Sequence, residues 1–424
     1  MCCEEIKKKF NKVKIVIKNN HLLLSNISYL GVFQILLTLI PLLTYPYLIR
    51  VVGEYNYGLV AYTQAISAIL VIIVNFGINI YATKDIAENR DTPEKLNKII
   101  STVYLLKGTI FFIVGFFYLS TVFIFDFFSE NKFLFSLVYG YCLSEWLLPV
   151  WYFQGIEKMR YMVLIDSVSK IFFTFLIFIL VTSEADFIRI PILQILGNLV
   201  GALIAFYFLF YKEKRTIIRV NYRDLTKYLK TSLPFFLSRL SVVGIAQLTT
   251  IFIGRTLGYI EVSWYDLAKK IWGVFMLPAN VINTAIYPRI TYTKSVKMVH
   301  LAFNFLFIGS IVLYIVLLLF TPFVVKILGG EQMLLAVPSV RFYGIMIILC
   351  YLTYFLGSCV MIPFGFQKQF NLSVIYSFFL FSILILILYL LSIKNLYGFI
   401  AVILFSELVI LLYRLKYSYQ YIKR

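Results

Sequence analysis

Long apolar stretches, separated by short polar and basic segments, run through almost the whole chain. Most of them reach about 20 predominantly apolar residues, which is the length that an α-helix needs to cross a bilayer. Runs of this length predict helices, because a helix satisfies its backbone polar groups internally in lipid. Twelve spans are predicted, at residues 24–49, 57–82, 100–125, 133–154, 161–182, 190–211, 233–254, 262–287, 300–321, 336–361, 371–393 and 396–413. The pattern therefore predicts an all-α polytopic membrane protein.

One predicted hairpin, residues 233–288, carries charges inside apolar sequence. Arg239, Asp266, Lys269 and Lys270 all lie within or at the edge of its two spans. A charge at bilayer depth costs roughly 2.5–3.5 kcal/mol on insertion scales. We therefore expect these four side chains to line a wet cavity or to pair with one another.

A similar hairpin occurs near the start of the chain. Its turn, residues 50–58, matches the turn of the later hairpin, residues 255–263, after a shift of 205 residues, which places Arg50 on Arg255 and Gly53 on Gly258. A repeat at nearly half the length predicts two six-helix halves, residues 1–211 with a basic cytoplasmic tail and residues 233–424. A basic cytoplasmic linker, residues 212–232, joins them. Transporters are often built from such repeats, with the substrate site between the halves.

Composition supports a membrane protein and excludes several other classes. Hydrophobic residues make up 61% of the 424 residues and charged residues 14%, with a mean hydropathy of +0.88, whereas soluble domains have about 25% charged residues. The net charge of +19 falls mostly in alternate short loops, which indicates membrane orientation with both termini in the cytoplasm. This placement argues against nucleic acid as a partner.

The sequence contains no signature of an enzyme or of a cofactor site. The phosphate-binding pattern G-x-x-x-x-G-K-[ST] is absent, the chain has only two histidines, and its five cysteines show no metal-binding or disulfide spacing. We therefore predict no catalytic residues, no metal and no cofactor.

The main candidates for substrate binding are four cations that we expect to be unpaired: Lys107, Arg239, Lys269 and Arg341. Together they would make a positive lumen for an anionic substrate, since arginine suits bidentate phosphate binding. Arg239 and Lys269 lie deeper within their spans, which favours a position in this lumen. Lys107 and Arg341 lie near span ends, where snorkelling toward the interface explains them equally well.

Further polar residues within the spans are candidates for a cavity lining or for ion coupling: Asp166, Lys170, Asp266, Lys270, Glu145, Glu407, Gln34, Gln64 and Asn75. Two pairs, Asp166 with Lys170 and Asp266 with Lys270, are four residues apart and share a helix face, so that each can form an ion pair. Purely structural pairing is an open alternative for both. For the glutamates and amides, hydrogen bonding between helices is the alternative.

Several segments resemble one family of membrane proteins. They are Leu48–Gly53 followed by Tyr57-Gly58, Asn75-Phe76-Gly77, Ala82–Ala87, Trp151–Met159 and Ala279–Ile290 with its Tyr287-Pro288-Arg289. The chain resembles bacterial polysaccharide-repeat flippases of the Wzx type, which act in O-antigen and lipopolysaccharide biosynthesis. The resemblance implies the fold of the multidrug/oligosaccharidyl-lipid/polysaccharide (MOP) exporters, in which two six-helix bundles enclose a central cavity that is typically cationic.

The implied function is translocation of an undecaprenyl-diphosphate-linked oligosaccharide from the inner to the outer leaflet of the bacterial cytoplasmic membrane by alternating access. The partners implied are this lipid-linked substrate and membrane lipids, with a polysaccharide polymerase and a chain-length regulator working nearby. A drug exporter of the same fold is the nearest alternative, although it would favour acidic cavity residues. A membrane polysaccharide polymerase is the alternative among enzymes, but every predicted outer loop is short.

Overall fold

Helices form all the regular structure that this computed structural model describes. It describes the backbone of residues 42–422, and their side chains except at positions 159, 160, 162–164, 166, 420 and 422. The helices are α1 (Leu42–Asn75), α2 (Ile78–Glu88), α3 (Pro93–Ile124), α4 (Lys132–Leu137), α5 (Gly140–Leu147), α6 (Val150–Gly155), α7 (Met159–Leu180), α8 (Arg189–Tyr207), α9 (Tyr222–Thr256), α10 (Tyr259–Thr293), α11 (Val296–Gly329), α12 (Val337–Tyr343), α13 (Met346–Phe355), α14 (Gln367–Leu390) and α15 (Leu396–Ile422).

Nine helical segments within the described range are long and apolar enough to cross a membrane. Helix α10 is not among them, since charged and amide side chains interrupt its apolar sequence, and the apolar part of α7 is shorter, at Ser167–Leu180. Helix α1 contains the end of the first predicted span and most of the second, because it folds back on itself. The twelve predicted spans thus correspond to helices, apart from residues 24–41, which lie outside the described residues.

The chain reverses direction within α1 at Gly53. The ring centroids of Tyr45 and Tyr57 are 5.0 Å apart, whereas twelve residues of straight helix would separate them by roughly 18 Å. Gly53 has a φ of 78°, a left-handed conformation that glycine adopts readily because it has no Cβ. The equivalent reversal between α9 and α10 occurs at Gly258, whose φ is 133°.

Both reversals are tighter than the sequence predicts. The pattern predicts turns over residues 50–58 and 255–263, but α1 is helical on both sides of Gly53 without a break, and only Leu257 and Gly258 separate α9 from α10. The physical reason is that one residue with positive φ is enough to redirect the chain. The charged residues of these segments therefore lie on helices and not in loops.

The linker predicted at residues 212–232 is only partly a loop. Helix α9 begins at Tyr222, after Asn221 has capped its amino end by accepting a hydrogen bond from a backbone N–H. An ion pair between Lys98 and Asp224, at 2.9 Å, ties this basic segment to α3. The division of the chain into two halves at this linker stays a prediction.

The two chain reversals pack against each other at one end of the bundle, which we call the hairpin end. A Cβ atom on Gly58 would overlap the carbonyl oxygen of Tyr259, so that only glycine allows the two helices to approach this closely. Nearby, the indole N–H of Trp264 donates a hydrogen bond to Glu54 at 3.0 Å. These contacts join the two halves of the sequence.

Candidate functional site

A cavity of about 590 Å³ lies between α1, α5, α7 and α8 of the first half and α9 and α10 of the second. Three cationic side chains, Lys170, Arg239 and Lys270, are among its lining residues. No carboxylate side chain lines it within the part of the chain that the structure describes. The charged side chains of the lining are therefore all positive, which favours an anion over a cation in this cavity.

Arg239 is the most available of the three cations. It lies on α9, is exposed, and has no hydrogen-bond or ion-pair partner among the described residues. A guanidinium group carries five N–H donors in a fixed planar arrangement that matches a phosphate or carboxylate group. The prediction that Arg239 lines a cavity is therefore consistent with its position. Its role in substrate binding stays a prediction.

Lys270 connects the cavity to the hairpin end. Its ammonium group forms an ion pair with Asp266 one helical turn away and donates a hydrogen bond to the hydroxyl of Tyr57 at 2.7 Å. Tyr57 in turn donates to Asp266 at 2.9 Å. The ion pair that the spacing of Asp266 and Lys270 predicts is thus present, and the structure adds a tyrosine from the other half of the chain.

Lys269 points away from this cavity. Its ammonium group lies 3.3 Å from Asp266 and donates to the hydroxyl of Thr250 at 3.2 Å. The expectation that Lys269 is unpaired and lines the lumen is not met, because a one-residue step along a helix turns the side chain by about 100°. Asp266 therefore has two cationic partners.

A network of amide side chains forms another part of the cavity lining. Gln64 donates to the side-chain oxygen of Gln194 at 2.6 Å, and Tyr141 donates to the same oxygen at 2.6 Å. Asn198 also lines the cavity, one turn beyond Gln194 on α8. The missed signal is the spacing of Gln194 and Asn198, two amides four residues apart in an otherwise apolar span. Only Gln64 was predicted.

The expectation that Lys107 is unpaired is wrong. Its side chain is completely buried, donates to the backbone oxygen of Glu145 at 2.7 Å and forms an ion pair with the Glu145 carboxylate at 3.4 Å. The same carboxylate accepts hydrogen bonds from the amides of Asn75 and Asn79, at 2.8 and 2.9 Å. These four residues form a polar cluster between α1, α2, α3 and α5 and do not line the cavity.

The remaining candidates lie elsewhere or outside the described residues. Arg341 is exposed and donates to the backbone oxygen of Leu318 at 3.0 Å, away from the cavity. Glu407 accepts a hydrogen bond from Thr353 in the second half of the chain. Gln34 and the side chain of Asp166 lie outside the described part, so the predicted pair of Asp166 with Lys170 stays a prediction.

Comparison with known proteins identifies the family. Residues 23–294, more than half of the chain, match the family model for polysaccharide biosynthesis proteins. The chain belongs to this family. A curated relative of this polysaccharide biosynthesis protein, from Escherichia coli (strain K12), bears the name "Putative O-antigen transporter". The two chains are 26% identical over 352 residues, which cover 82% of this chain and 85% of the relative.

Solved structures show which fold this family member has. The lipid II flippase MurJ in an inward closed conformation aligns with a TM-score of 0.69 and 15% identity, covering 93% of this chain and 87% of that chain. An inward-facing multidrug resistance MATE family transporter of the MOP superfamily aligns with a TM-score of 0.67 and 14% identity, covering 93% and 98%. The predicted all-α polytopic fold of the MOP type is confirmed.

Proposed function

We propose that this polysaccharide biosynthesis protein translocates an undecaprenyl-diphosphate-linked oligosaccharide, an O-antigen or capsule repeat unit, across the bacterial cytoplasmic membrane. The observation that carries the proposal is the cavity with Lys170, Arg239 and Lys270 and no lining carboxylate among the described residues. A diphosphate needs several cations to replace its hydration when it enters such a space. The O-antigen transporter named above, similar over most of both chains, supports the same substrate class.

The remaining lining suits the carbohydrate part of such a substrate. Gln64, Gln194 and Asn198 present amide donors and acceptors that can bind sugar hydroxyls, and Tyr141 adds a phenol. The rest of the lining is largely aliphatic and aromatic. The polyprenyl chain would stay in the lipid, because the bilayer already keeps an apolar chain away from water.

Direction and mechanism follow from the closed hairpin end and from the charge pattern. The basic termini and loops predict that the hairpin end faces away from the cytoplasm. The contacts between the two chain reversals close that end, so that substrate would enter from the cytoplasmic side. Opening of the hairpin end would then deliver the glycan to the outer leaflet by alternating access. A polymerase would use the product there, under the control of a chain-length regulator.

Leaflet assignment of the lipid-linked repeat unit tests the proposal. A strain that makes the repeat unit but lacks its own transporter would receive the parent chain, Arg239→Ala or Arg341→Ala, each at matched expression. We expect the parent and Arg341→Ala to restore outer-leaflet repeat units. Arg239→Ala should reduce the rate by about tenfold or more, as the loss of a charge-assisted contact predicts.

The outcomes distinguish an error in the proposed function from an error in the role of Arg239. If Arg239→Ala works as well as the parent, the function stands and the role of Arg239 in the cavity is wrong. If the parent itself leaves the repeat units in the inner leaflet, the proposed function is wrong, and efflux of drugs becomes the next activity to measure.

A further inference from the structure

Lys270 is unusual because it belongs to two structural features at once. It lines the cavity, and through Tyr57 it joins the two halves of the chain at the hairpin end. Two further contacts at this end, Glu54 with Trp264 and Gly58 with Tyr259, involve residues that do not line the cavity. Lys270 and Tyr57 are therefore where a ligand in the cavity can act directly on the closure.

We propose that Lys270 is an anion-sensing latch: an anionic group in the cavity draws its ammonium away from Asp266 and Tyr57 and so weakens the closure of the hairpin end. This inference rests on the proposed function and adds to it the way in which substrate starts the conformational change. A lysine suits this role because its charge sits on a flexible stem with four carbons.

Lys270 can move from Asp266 to the anion without leaving the Asp266 carboxylate unpaired. Removing one partner from a buried ion pair is normally costly, since the remaining charge has lost its compensation. Asp266 has a second cation, Lys269, at 3.3 Å, and Lys269 is anchored by Thr250 on the neighbouring helix α9. When Lys270 turns to an anion in the cavity, Asp266 therefore keeps an ion pair.

The latch also explains how the binding of an anion in the cavity would favour opening of the hairpin end. A ligand shifts a conformational equilibrium only by its difference in affinity for the two states. With the hairpin end closed, Lys270 is shared between Asp266, Tyr57 and the ligand. With that end open, Tyr57 has moved away and only Asp266, on the same helix, still competes for the ammonium, so that an anion binds the open state more tightly.

Distance measurements across the hairpin end test this latch. Spin labels would be placed on Glu130→Cys and Leu335→Cys, two exposed positions in the short segments that follow α3 and α11. Cys2 and Cys3 would be replaced by serine, and the other three cysteines are buried. The full-length protein in lipid nanodiscs would be titrated with farnesyl diphosphate, with uncharged farnesol as the control ligand.

We expect farnesyl diphosphate, and not farnesol, to shift the distance distribution of the parent toward longer distances. Lys270→Gln should show the longer distances without ligand, because the loss of the charged hydrogen bond to Tyr57, which crosses between the halves, lowers the closed-to-open ratio by about tenfold. Diphosphate should still bind to this variant, through Arg239 and Lys170, but should produce little further shift. Lys170→Gln is the matched variant: it should bind diphosphate more weakly but show the full shift at saturation.

Failure of the latch is distinguishable from failure of the proposed function. If diphosphate binds to the parent without a shift, or if Lys270→Gln keeps a full ligand-induced shift, the latch is wrong and the proposed function stands. If calorimetry detects no binding of farnesyl diphosphate to the parent, the cationic cavity is not a diphosphate site, and both proposals are overturned.

Discussion

Lys107 and Arg239 show how two cations in similar apolar sequence acquire different surroundings. Lys107 is completely buried and engages Glu145 and Asn79. Arg239 faces the cavity without a partner among the described residues. A buried charge persists only when it is paired and hydrogen-bonded, so Lys107 is best understood as part of the packing of the first half, whereas Arg239 is available to a ligand.

Lys107→Met tests this structural role. We expect the variant to lose about 3–5 kcal/mol of stability, because the carboxylate of Glu145 remains without its cation. Thermal unfolding of the purified protein in nanodiscs would measure the loss. The double variant with Glu145→Leu should recover a large part of it, since both charges are then replaced by apolar groups. Equal stability of Lys107→Met and the parent would contradict the assignment.

Close packing of helices at the hairpin end depends on glycine. Gly58 lies against the backbone of Tyr259, and Gly254 lies against the ring of Tyr62, so that α1 meets α9 and α10 at two glycines. Without side chains at these positions the helices approach closely, and dispersion contacts between them stabilise the closure in lipid. Close packing of these helices therefore stabilises the closed state together with the hydrogen bonds across this end.

Gly58→Ala tests this packing at the level of the helices. The added methyl group would overlap a backbone carbonyl that cannot rotate away, so we expect a loss of about 1–3 kcal/mol and longer distances across the hairpin end. Thermal unfolding and the spin-label pair would detect these two effects. Gly273→Ala on α10 is the control, because a Cβ there meets nothing within 4 Å and alanine favours a helix. If both variants behave alike, the close approach is not important for the closure.

The two halves of the molecule contact each other through equivalent arginines. Arg50 of the first reversal donates to the backbone oxygen of Ile327 near the end of α11, at 2.7 Å. Arg255 of the second lies 4.3 Å from the ring centroid of Phe127, just after the end of α3. Each arginine thus reaches the third long helix of the opposite half. Such reciprocal contacts are what the predicted repeat would produce, and the repeat itself stays a prediction.

Cross-linking the hairpin end tests alternating access for the whole molecule. The rings of Tyr55 and Tyr259 lie 5.3 Å apart on opposite halves, so that cysteines at these positions should react with a short bifunctional thiol reagent. We expect the cross-linked protein to lose most of its transport in membrane vesicles, because the end can no longer open. Each single-cysteine variant treated with the reagent serves as the control. Undiminished transport by fully cross-linked protein would exclude opening at this end.

The sequence by itself determined the fold class, the positions of the helical spans within the described residues, and the family. Hydrophobic length was sufficient for the spans, because lipid leaves the backbone few alternatives to helix. The spacing of Asp266 and Lys270 was sufficient for their ion pair, since residues four apart on a helix are neighbours. These features are local and can be read from consecutive residues.

The tertiary structure alone decided which charges meet across helices and which face the cavity. Lys107 finds Glu145 on another helix, Tyr57 reaches Asp266 from the other half of the chain, and Lys270 lines the cavity while Lys269 does not. Partners distant in sequence are brought together by the crossing and rotation of packed helices. One residue along a helix turns a side chain by about 100°, and hydropathy averaged over a whole span does not record that rotation.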